Sequence, residues 1–234
     1  MTHDMLLEAE GLCAHYGTSQ ALFDVDIKVP SRGGVAILGR NGAGKTTLLK
    51  TLAGDLRPTR GSIRFDREDC TRMPTEQRVR RGLGHVPQEQ AIFGGLTVRE
   101  NLLLGSMADP KGAQRIDEMV RLFPQLGQRM SQRAGTLSGG ERKMLAISRA
   151  LLGNPCLVML DEPTEGVWHE VVEEIAQRLE QLARSIAIVI VEQHVELALR
   201  VSDYCYVMDR GRVALEGPSD QVRSDPNLVR LLAP

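Results

Sequence analysis

One stretch decides the fold: Gly39-Arg40-Asn41-Gly42-Ala43-Gly44-Lys45-Thr46, which fits the pattern G-x-x-x-x-G-K-[ST] in full. Its glycines let successive backbone N–H groups turn toward one point and form a concave anion site. A helix that begins near Gly44 adds its positive end to that site. We predict that this loop and Thr47 contact phosphate, with Lys45 at the β- and γ-phosphates and Thr46 as a ligand of Mg²⁺. The alternative interpretation is a glycine-rich turn that happens to contain a lysine.

The flanking sequence favours the phosphate-binding interpretation. Four apolar residues, 35–38, predict a buried parallel strand before the loop. Residues 47–53 have the apolar spacing of a helix, and Gly54 can end it. Because a phosphate-binding loop joins a strand to a helix, this context predicts a nucleotide-binding protein of the P-loop NTPase class.

Composition restricts the function classes. The chain has 234 residues, 42% of them hydrophobic, which is enough for one domain or for one domain with a subdomain. Its formal net charge of −1, with 29 basic residues interspersed among acids, offers no basic surface for nucleic acid. The longest apolar run, 186–191, is too short to span a bilayer, and the acidic N-terminus does not resemble a signal peptide.

The cysteines are widely separated and form no C-x-x-C pair. We interpret them as buried thiols in a reducing cytosol. They are Cys13, Cys70, Cys156 and Cys205.

The order of predicted elements is that of an α/β protein with a helical insertion. Around the loop, strands are predicted at 6–9, 21–29, 61–65 and 83–87, and a helix at about 75–81. Helices dominate the next segment, at 98–104, 114–123 and 138–152. Strands return at 156–160, 186–191 and 204–208, with a helix at about 168–183. These last βαβ units are expected to close a mostly parallel sheet.

A pair of acids follows the apolar segment 157–160. A buried strand there carries Asp161 to the edge of the sheet beside the phosphate loop, where it can hold Mg²⁺ through water. Glu162 lies one residue further toward the γ-phosphate, and we predict it to be the general base that polarises an attacking water. The alternative is an acidic turn after a strand, which is common.

A second phosphate-binding surface is predicted at Leu137-Ser138-Gly139-Gly140-Glu141, which opens the helix at 138–152. Ser138 is a natural N-cap, and the glycines expose N–H groups at the positive helix end. This surface lies 92 positions beyond Thr46 (138 minus 46), so one chain need not bring both surfaces to one nucleotide. A simple capped helix is the alternative.

These motifs resemble those of the ABC-type ATPases, in order and in rough spacing, across nearly the whole chain. In that family the signature segment of one subunit caps the ATP held by the loop of its partner. The resemblance implies that ATP is contacted in trans by four residues: Ser138, Gly139, Gly140 and Glu141. It also implies that Gln88 touches Mg²⁺ and links to a membrane partner. Tyr16 matches the aromatic residue that stacks on adenine; a core tyrosine is the alternative for this residue.

The resemblance further implies an architecture and a setting. We expect an α/β fold whose P-loop NTPase core of ABC ATPase type, residues 1–88 and 155–234, includes an antiparallel β subdomain, while residues 89–154 form a helical signature subdomain. The implied cofactors are ATP and Mg²⁺. The implied partners are a second ABC ATPase subunit, two transmembrane permease subunits and a periplasmic solute-binding protein, with no nucleic acid. The expected location is the cytoplasmic face of the inner membrane, with 89–95, including an exposed Ile92 and Phe93, as the permease contact.

Two positions depart from the usual family pattern. Most members carry a histidine that senses the γ-phosphate after the last core strand, whereas here Gln193 stands at that position and His194 follows. Our hypothesis is that Gln193 is this catalytic switch, because a glutamine can donate a hydrogen bond to phosphate although it cannot become cationic. Trp168 stands where an aspartate is typical. It is either a contact between ATPase subunits or a cap that packs on the core.

These departures restrict the choice of subfamily. Glu192-Gln193, Thr164-Glu165-Gly166 and the segment 96–102 resemble the shorter ATPase subunit of branched-chain amino acid and urea or amide uptake systems. Gln88 stands where branched-chain amino acid members often have a glutamate, which favours urea or a short amide.

Two other classes compete with a transporter subunit. One is a soluble ABC-type ATPase of DNA repair or translation, against which the 92-position gap and the single ATPase unit argue. The other is an ATP-binding regulator without hydrolysis, against which the intact Asp161 and Glu162 argue.

Overall fold

The chain alternates between strands and helices throughout. The computed structural model describes residues 4–89, 91–107 and 109–233. The strands are β1 (Met5–Tyr16), β2 (Ser19–Pro30), β3 (Gly33–Gly39), β4 (Arg60–Phe65), β5 (Glu68–Asp69), β6 (Leu83–Val86), β7 (Leu157–Asp161), β8 (Ala187–Val191), β9 (Tyr204–Asp209) and β10 (Arg212–Pro218). The α-helices are α1 (Lys45–Ala53), α2 (Thr75–Arg80), α3 (Val98–Ser106), α4 (Ile116–Leu122), α5 (Pro124–Gly127), α6 (Gly139–Leu152), α7 (His169–Ala183), α8 (Val195–Val201), α9 (Ser219–Ser224) and α10 (Pro226–Leu232).

A four-stranded antiparallel sheet has the order β2-β1-β4-β5. Its inward face is apolar: Leu7 pairs with Phe65 and Ala9 with Ile63, and all four are buried. Strand β1 runs well beyond the predicted segment 6–9, whereas β2 exceeds the predicted segment 21–29 by only three residues. Strand β1 contains a register shift between Ala9 and Leu12, where the Gly11 N–H donates to Asp26 Oδ1 at 2.7 Å. Such a bulge interrupts the alternation on which the prediction relied.

The second sheet has the order β10-β9-β3-β8-β7-β6. The strands β6, β7, β8, β3 and β9 are parallel, as expected, and β10 adds an antiparallel edge. Strands β7 and β8 are buried along their whole length, because one face of the sheet packs against helices such as α6 and α7, and the other packs against α1 and the antiparallel sheet. Val191 is in register with both Ile37 and Asp161. The loops that follow β3, β7 and β8 therefore leave the sheet side by side at one edge, which is where ligands bind in open α/β sheets.

The segment between β6 and β7 is helical, as predicted, but its second helix is divided. The predicted helix at 114–123 is a 3₁₀ turn, Gly112–Arg115, followed by α4 and then α5. Side chains of this segment, such as Leu102, Phe123 and Met144, share one hydrophobic cluster with Leu160 and Ile190 of the sheet. The division at 89 and 155 stays a prediction, and residues 1–3, 90, 108 and 234, which it assigns, lie outside the described residues.

Several short elements were not predicted, namely β5, β10, α5 and the last three helices. The helices among them have seven residues or fewer, too few turns for a helical period to stand out. All four cysteines are free; three are buried, and Cys156 is only half-buried. Among the described residues, no helix combines the length and apolar character needed to cross a membrane.

Candidate nucleotide-binding and hydrolysis site

The phosphate loop joins β3 to α1, as the sequence predicts. Gly44 is the N-cap of α1, with a φ of +103°. A Cβ atom at this position would lie 3.3 Å from Ala21 O and from Gly211 Cα. Only glycine satisfies both the left-handed backbone and the close approach, so the loop is held tightly against β2 and the β9–β10 turn.

Lys45 lies inside the loop with 5% of its surface exposed. Its Nζ donates to Gly39 O at 2.8 Å and to Arg40 O at 3.1 Å. Burial lowers the pKa of Lys45, against the attraction of Glu162, Asp161 and Glu192, which raises it. An ammonium group in such a place is poorly solvated, and binding a phosphate would restore the lost interactions.

Asp161 ends β7 and is buried. Within the described residues its Oδ1 has no hydrogen-bond partner. Burial raises the pKa of Asp161, while a hydrogen bond with the Thr46 side chain and the charge of Lys45 act to lower it. A buried carboxylate oxygen without a partner beside a threonine hydroxyl fits a divalent cation, since Mg²⁺ takes one or two protein oxygens and completes its shell with phosphate and water.

Glu162 occupies the left-handed region of backbone space, with a φ of +49°. Its N–H donates to Val191 O at 2.9 Å, and its carbonyl accepts from Lys143 Nζ at 2.8 Å. A non-glycine residue in this conformation is unusual, and such strain concentrates at functional sites. These two anchors hold the backbone of Glu162 at the sheet edge.

The Glu162 carboxylate is held by two amides and lies near a cation. Gln193 Nε2 donates to its Oε1 and Gln88 Nε2 to its Oε2, both at 3.0 Å. Lys45 Nζ lies 3.9 Å from Oε1. Gln88 Nε2 also donates to Glu165 Oε2 at 2.8 Å, so its amide oxygen is the atom left for a metal.

A cavity of about 720 Å³ opens beside the phosphate loop. The predicted residues that line it are Asn41, Gly42, Gly44, Lys45, Thr46, Thr47, Gln88, Glu162 and Gln193. The remaining lining residues were not predicted: Gln20, Ala21, Phe23, Glu165, Arg210 and Gly211. The β9–β10 turn could have been recognised, because Arg210-Gly211 between two strand patterns is a hairpin signal; both residues have positive φ, and the Gly211 N–H donates to Ala43 O at 2.8 Å.

Some predicted residues lie outside the lining of this cavity. The carbonyls of Gly39 and Arg40 accept hydrogen bonds from Lys45 Nζ, and the carbonyl of Ala43 accepts one from the Gly211 N–H, so these three residues stabilise the loop. Tyr16 ends β1 and is 49% exposed, so the core alternative is wrong for this residue. Its stacking on adenine stays a prediction.

Gln193 and His194, the two candidates for the γ-phosphate sensor, line different cavities. Gln193 lines the cavity and contacts Glu162. His194 is the N-cap residue of α8 and lines a different cavity together with His169. The geometry therefore favours Gln193 over His194 as the residue that responds to bound nucleotide.

The signature segment caps α6. The Glu141 N–H donates to Ser138 Oγ at 3.2 Å, and the Ser138 N–H donates to Glu141 Oε2 at 2.9 Å, which is a complete capping box. Arg129 Nε also contacts Glu141 Oε1 at 3.2 Å. The Glu141 carboxylate is thus engaged within its own chain. None of the predicted signature residues lines the cavity of the phosphate loop.

Comparison with known proteins decides the family. Residues 22–165 match the family model described as ABC transporter. The chain belongs to the ABC transporter ATP-binding family. This ABC ATPase has the expected α/β fold: a nucleotide-free ATP-binding cassette from an ABC transporter superposes with a TM-score of 0.87 at 26% identity, with 99% of this chain and 100% of that chain covered.

Curated relatives of this ABC ATPase span its whole length. The high-affinity branched-chain amino acid transport ATP-binding protein of Pseudomonas aeruginosa is 38% identical over 226 residues, covering 95% of this chain and 97% of that protein. A probable branched-chain amino acid transport ATP-binding protein of Archaeoglobus fulgidus is 37% identical over 230 residues, covering 97% and 98%. The lipopolysaccharide export system ATP-binding protein of Haemophilus influenzae is 34% identical over 232 residues, covering 97% and 96%.

Two surface residues of this ABC ATPase were predicted as partner contacts and are exposed. Trp168 is 83% exposed, so the alternative of a tryptophan packed on the core is wrong. Phe93 is 51% exposed and lies under the Arg149 guanidinium, whose Cζ is 4.6 Å from the ring centroid. Ile92 is half-buried against the core, so the expectation of an exposed Ile92 is wrong. Gln90, within the predicted permease contact, lies outside the described residues.

Proposed function

We propose that this ABC ATPase is one half of an ATP-driven clamp that powers uptake of a small polar or amphipathic solute through two partner permeases. The observation that carries the proposal is the arrangement of Glu162. This buried carboxylate is aimed by two amides, lies 3.9 Å from the Nζ of the phosphate-loop lysine, and opens into a cavity large enough for a nucleotide.

The predicted site residues have distinct roles in hydrolysis. The loop N–H groups and Lys45 bind the phosphates. Glu162 accepts a proton from the attacking water as general base, and Gln193 donates to the γ-phosphate. Thr46, Asp161 and Gln88 would hold Mg²⁺, which when bound neutralises charge on the β- and γ-phosphates.

The clamp needs a second ATPase subunit. The signature residues lie away from this chain's own cavity, and the capped start of α6 offers N–H groups and a serine hydroxyl to the phosphate of a partner's nucleotide. Only ATP carries the γ-phosphate that this cap requires, so ATP and ADP favour different states. A shift of a two-state equilibrium from 1:99 to 99:1 needs about 5.5 kcal/mol of differential binding, which two capped sites can supply.

The clamp works at the cytoplasmic face of the membrane in this proposal. The segment 89–95, which follows Gln88, transmits its motion to the permeases. A periplasmic solute-binding protein delivers the solute. The exposed ring of Phe93 is the apolar part of that contact.

The solute belongs to one small class in this proposal: a branched-chain amino acid, urea or a short amide. The names of two relatives at 37–38% identity support a branched-chain amino acid. Gln88 supports urea or an amide, more weakly, because no residue of the ATPase touches the solute. A transport assay on the reconstituted complex, with urea, amides and aliphatic amino acids, distinguishes these solutes. A complex that hydrolyses ATP and transports none of them would contradict this class.

The mechanism is tested by Glu162→Gln. The variant keeps the volume of the side chain and one acceptor oxygen for Gln193 or Gln88, but its amide cannot accept a proton. We expect ATP binding within about twofold of the wild type, loss of turnover by about 10²-fold or more, and an ATP-dependent dimer that persists. Phosphate release measures the rate of turnover, and sedimentation measures dimerisation. Wild-type turnover in this variant would refute the role of Glu162.

A further inference from the structure

The loop after β8 begins with a buried carboxylate that the proposed mechanism does not use. Glu192 is 1% exposed. Its Oε1 accepts from the Thr164 N–H at 3.0 Å and from Thr164 Oγ1 at 2.7 Å. Its Oε2 accepts from the Gln193 N–H at 3.2 Å. A buried carboxylate is costly unless it is fully hydrogen-bonded, and here both oxygens are used.

These contacts complete a closed ring of residues around the hydrolysis site. Glu162 and Thr164 are two positions apart in the loop after β7. Glu192 and Gln193 are neighbours in the loop after β8. The Gln193 side chain returns to Glu162, where Nε2 donates to Oε1 at 3.0 Å. The loops after β7 and β8 are therefore linked at two points, by the contact between Thr164 and Glu192 and by the contact between Glu162 and Gln193.

We propose that Glu192 is a positioning residue that sets where Gln193 and Glu162 stand relative to each other. The proposal rests on the proposed roles of Glu162 and Gln193. Glu192 is not among the residues that line the nucleotide cavity, and it acts by holding both loops. A carboxylate suits this task because it is an acceptor at both oxygens, so one oxygen serves each loop.

The neutral isostere separates positioning from packing. Glu192→Gln keeps the volume and one acceptor oxygen, but it turns an N–H₂ group toward a donor in one of the two loops. We expect kcat for ATP to fall by about 100-fold, the size of effect that a displacement of about 1 Å produces. The KM for ATP stays within about twofold, because the Glu192 side chain makes its hydrogen bonds to Thr164 and Gln193 and none to the phosphate loop.

Thr164→Val tests the same ring while leaving the charge of Glu192 in place. It removes one donor and keeps the backbone contact, so we expect a smaller fall in kcat in the same direction. The double variant should be no slower than Glu192→Gln alone, because both changes release the same loop. Additive losses in kcat would overturn the proposal.

The matched control is Arg78→Lys. Arg78 is also buried and charged, and it binds the carbonyls of Thr51, Leu52 and Cys70 away from the cavity. This variant should lower the melting temperature and leave kcat within about twofold of the wild type. If Glu192→Gln behaves like this control, the residue is merely structural and the proposal fails.

The side-chain amide resonance of Gln193 provides a readout that needs no turnover. The signal is recorded in nitrogen-15 labelled full-length protein and is assigned by its loss in Gln193→Ala. We expect its chemical shift to change in Glu192→Gln and to stay the same in Arg78→Lys. An unmoved signal would overturn the proposal whatever the rates are. Failure of the proposed function appears elsewhere, as turnover that persists in Glu162→Gln, so the two failures are distinguishable.

Discussion

In the proposed mechanism, Gln193 determines how the site responds to nucleotide. A histidine at the equivalent position can gain charge as pH falls, whereas an amide stays neutral and offers a donor at every pH. In the described structure this donor points at Glu162 Oε1. The proposed switch and the proposed general base are therefore in direct contact, and a γ-phosphate oxygen would compete with the carboxylate for the same N–H.

We expect Gln193→Ala to lower kcat by about 10²-fold, the loss typical of removing one donor from a charged transition state. His194→Ala should stay within about twofold of the wild type, because this imidazole lines another cavity. Both rates are measured by phosphate release at saturating ATP. A larger loss in His194→Ala than in Gln193→Ala would reverse the assignment.

Helix α6 joins the signature segment to the catalytic loop of the same chain. It begins at the Ser138 cap, and one turn later Lys143 donates to Glu162 O. Burial lowers the pKa of Lys143, while the surrounding carboxylates, Glu165 first among them, raise it. Because this bond holds a residue in the left-handed conformation, a movement of α6 would be felt directly at Glu162.

Lys143→Met should lower the free energy of unfolding by about 2 kcal/mol, the value of a hydrogen bond from a charged group. It should also lower kcat, since Glu162 can then relax toward an ordinary backbone conformation. Unfolding in urea and phosphate release measure the two effects. Arg142→Met, an exposed neighbour on the same helix, is the control for stability. Equal effects of both variants on stability would contradict the role of this bond.

In the proposed clamp, another copy or a related subunit supplies part of the ATP site. The phosphate loop, Asp161 and Glu162 form one surface, and the signature cap forms another that lies away from it. Trp168 projects at the start of α7, after the catalytic loop. A large exposed ring such as this one is the kind of residue that anchors a protein interface.

We therefore expect Trp168→Ala, placed in the Glu162→Gln background, to weaken the ATP-dependent dimer by about 2 kcal/mol, or about 30-fold in the dissociation constant. The stability of the monomer should change by less than about 0.5 kcal/mol, because the ring is exposed. Sedimentation with ATP measures dimerisation. Val229→Ala, at an exposed position of α10, should leave the dimer unchanged; an equally strong dimer with Trp168→Ala would exclude Trp168 from the interface.

Sequence patterns predicted features that depend on neighbours along the chain. The strand–loop–helix at Gly44, the parallel strand before Asp161 and the cap at Ser138 all stand where they were predicted. The length of β1 could not be predicted in the same way, because a bulge breaks its alternation. The contribution of Arg210 and Phe23 to the cavity was missed because it depends on how the two sheets meet.

The sequence by itself determined the phosphate loop, the acids that follow β7 and the signature cap, since each is formed by residues a few positions apart. Only the tertiary structure decided which side chains surround Glu162. The order β3-β8-β7 brings Gln193, Glu192 and Thr164 together, and strand order is set by packing of whole elements, which no local pattern encodes. For the same reason the sequence showed Glu192 only as a marker of the subfamily, whereas the fold shows that its buried carboxylate connects the loops after β7 and β8.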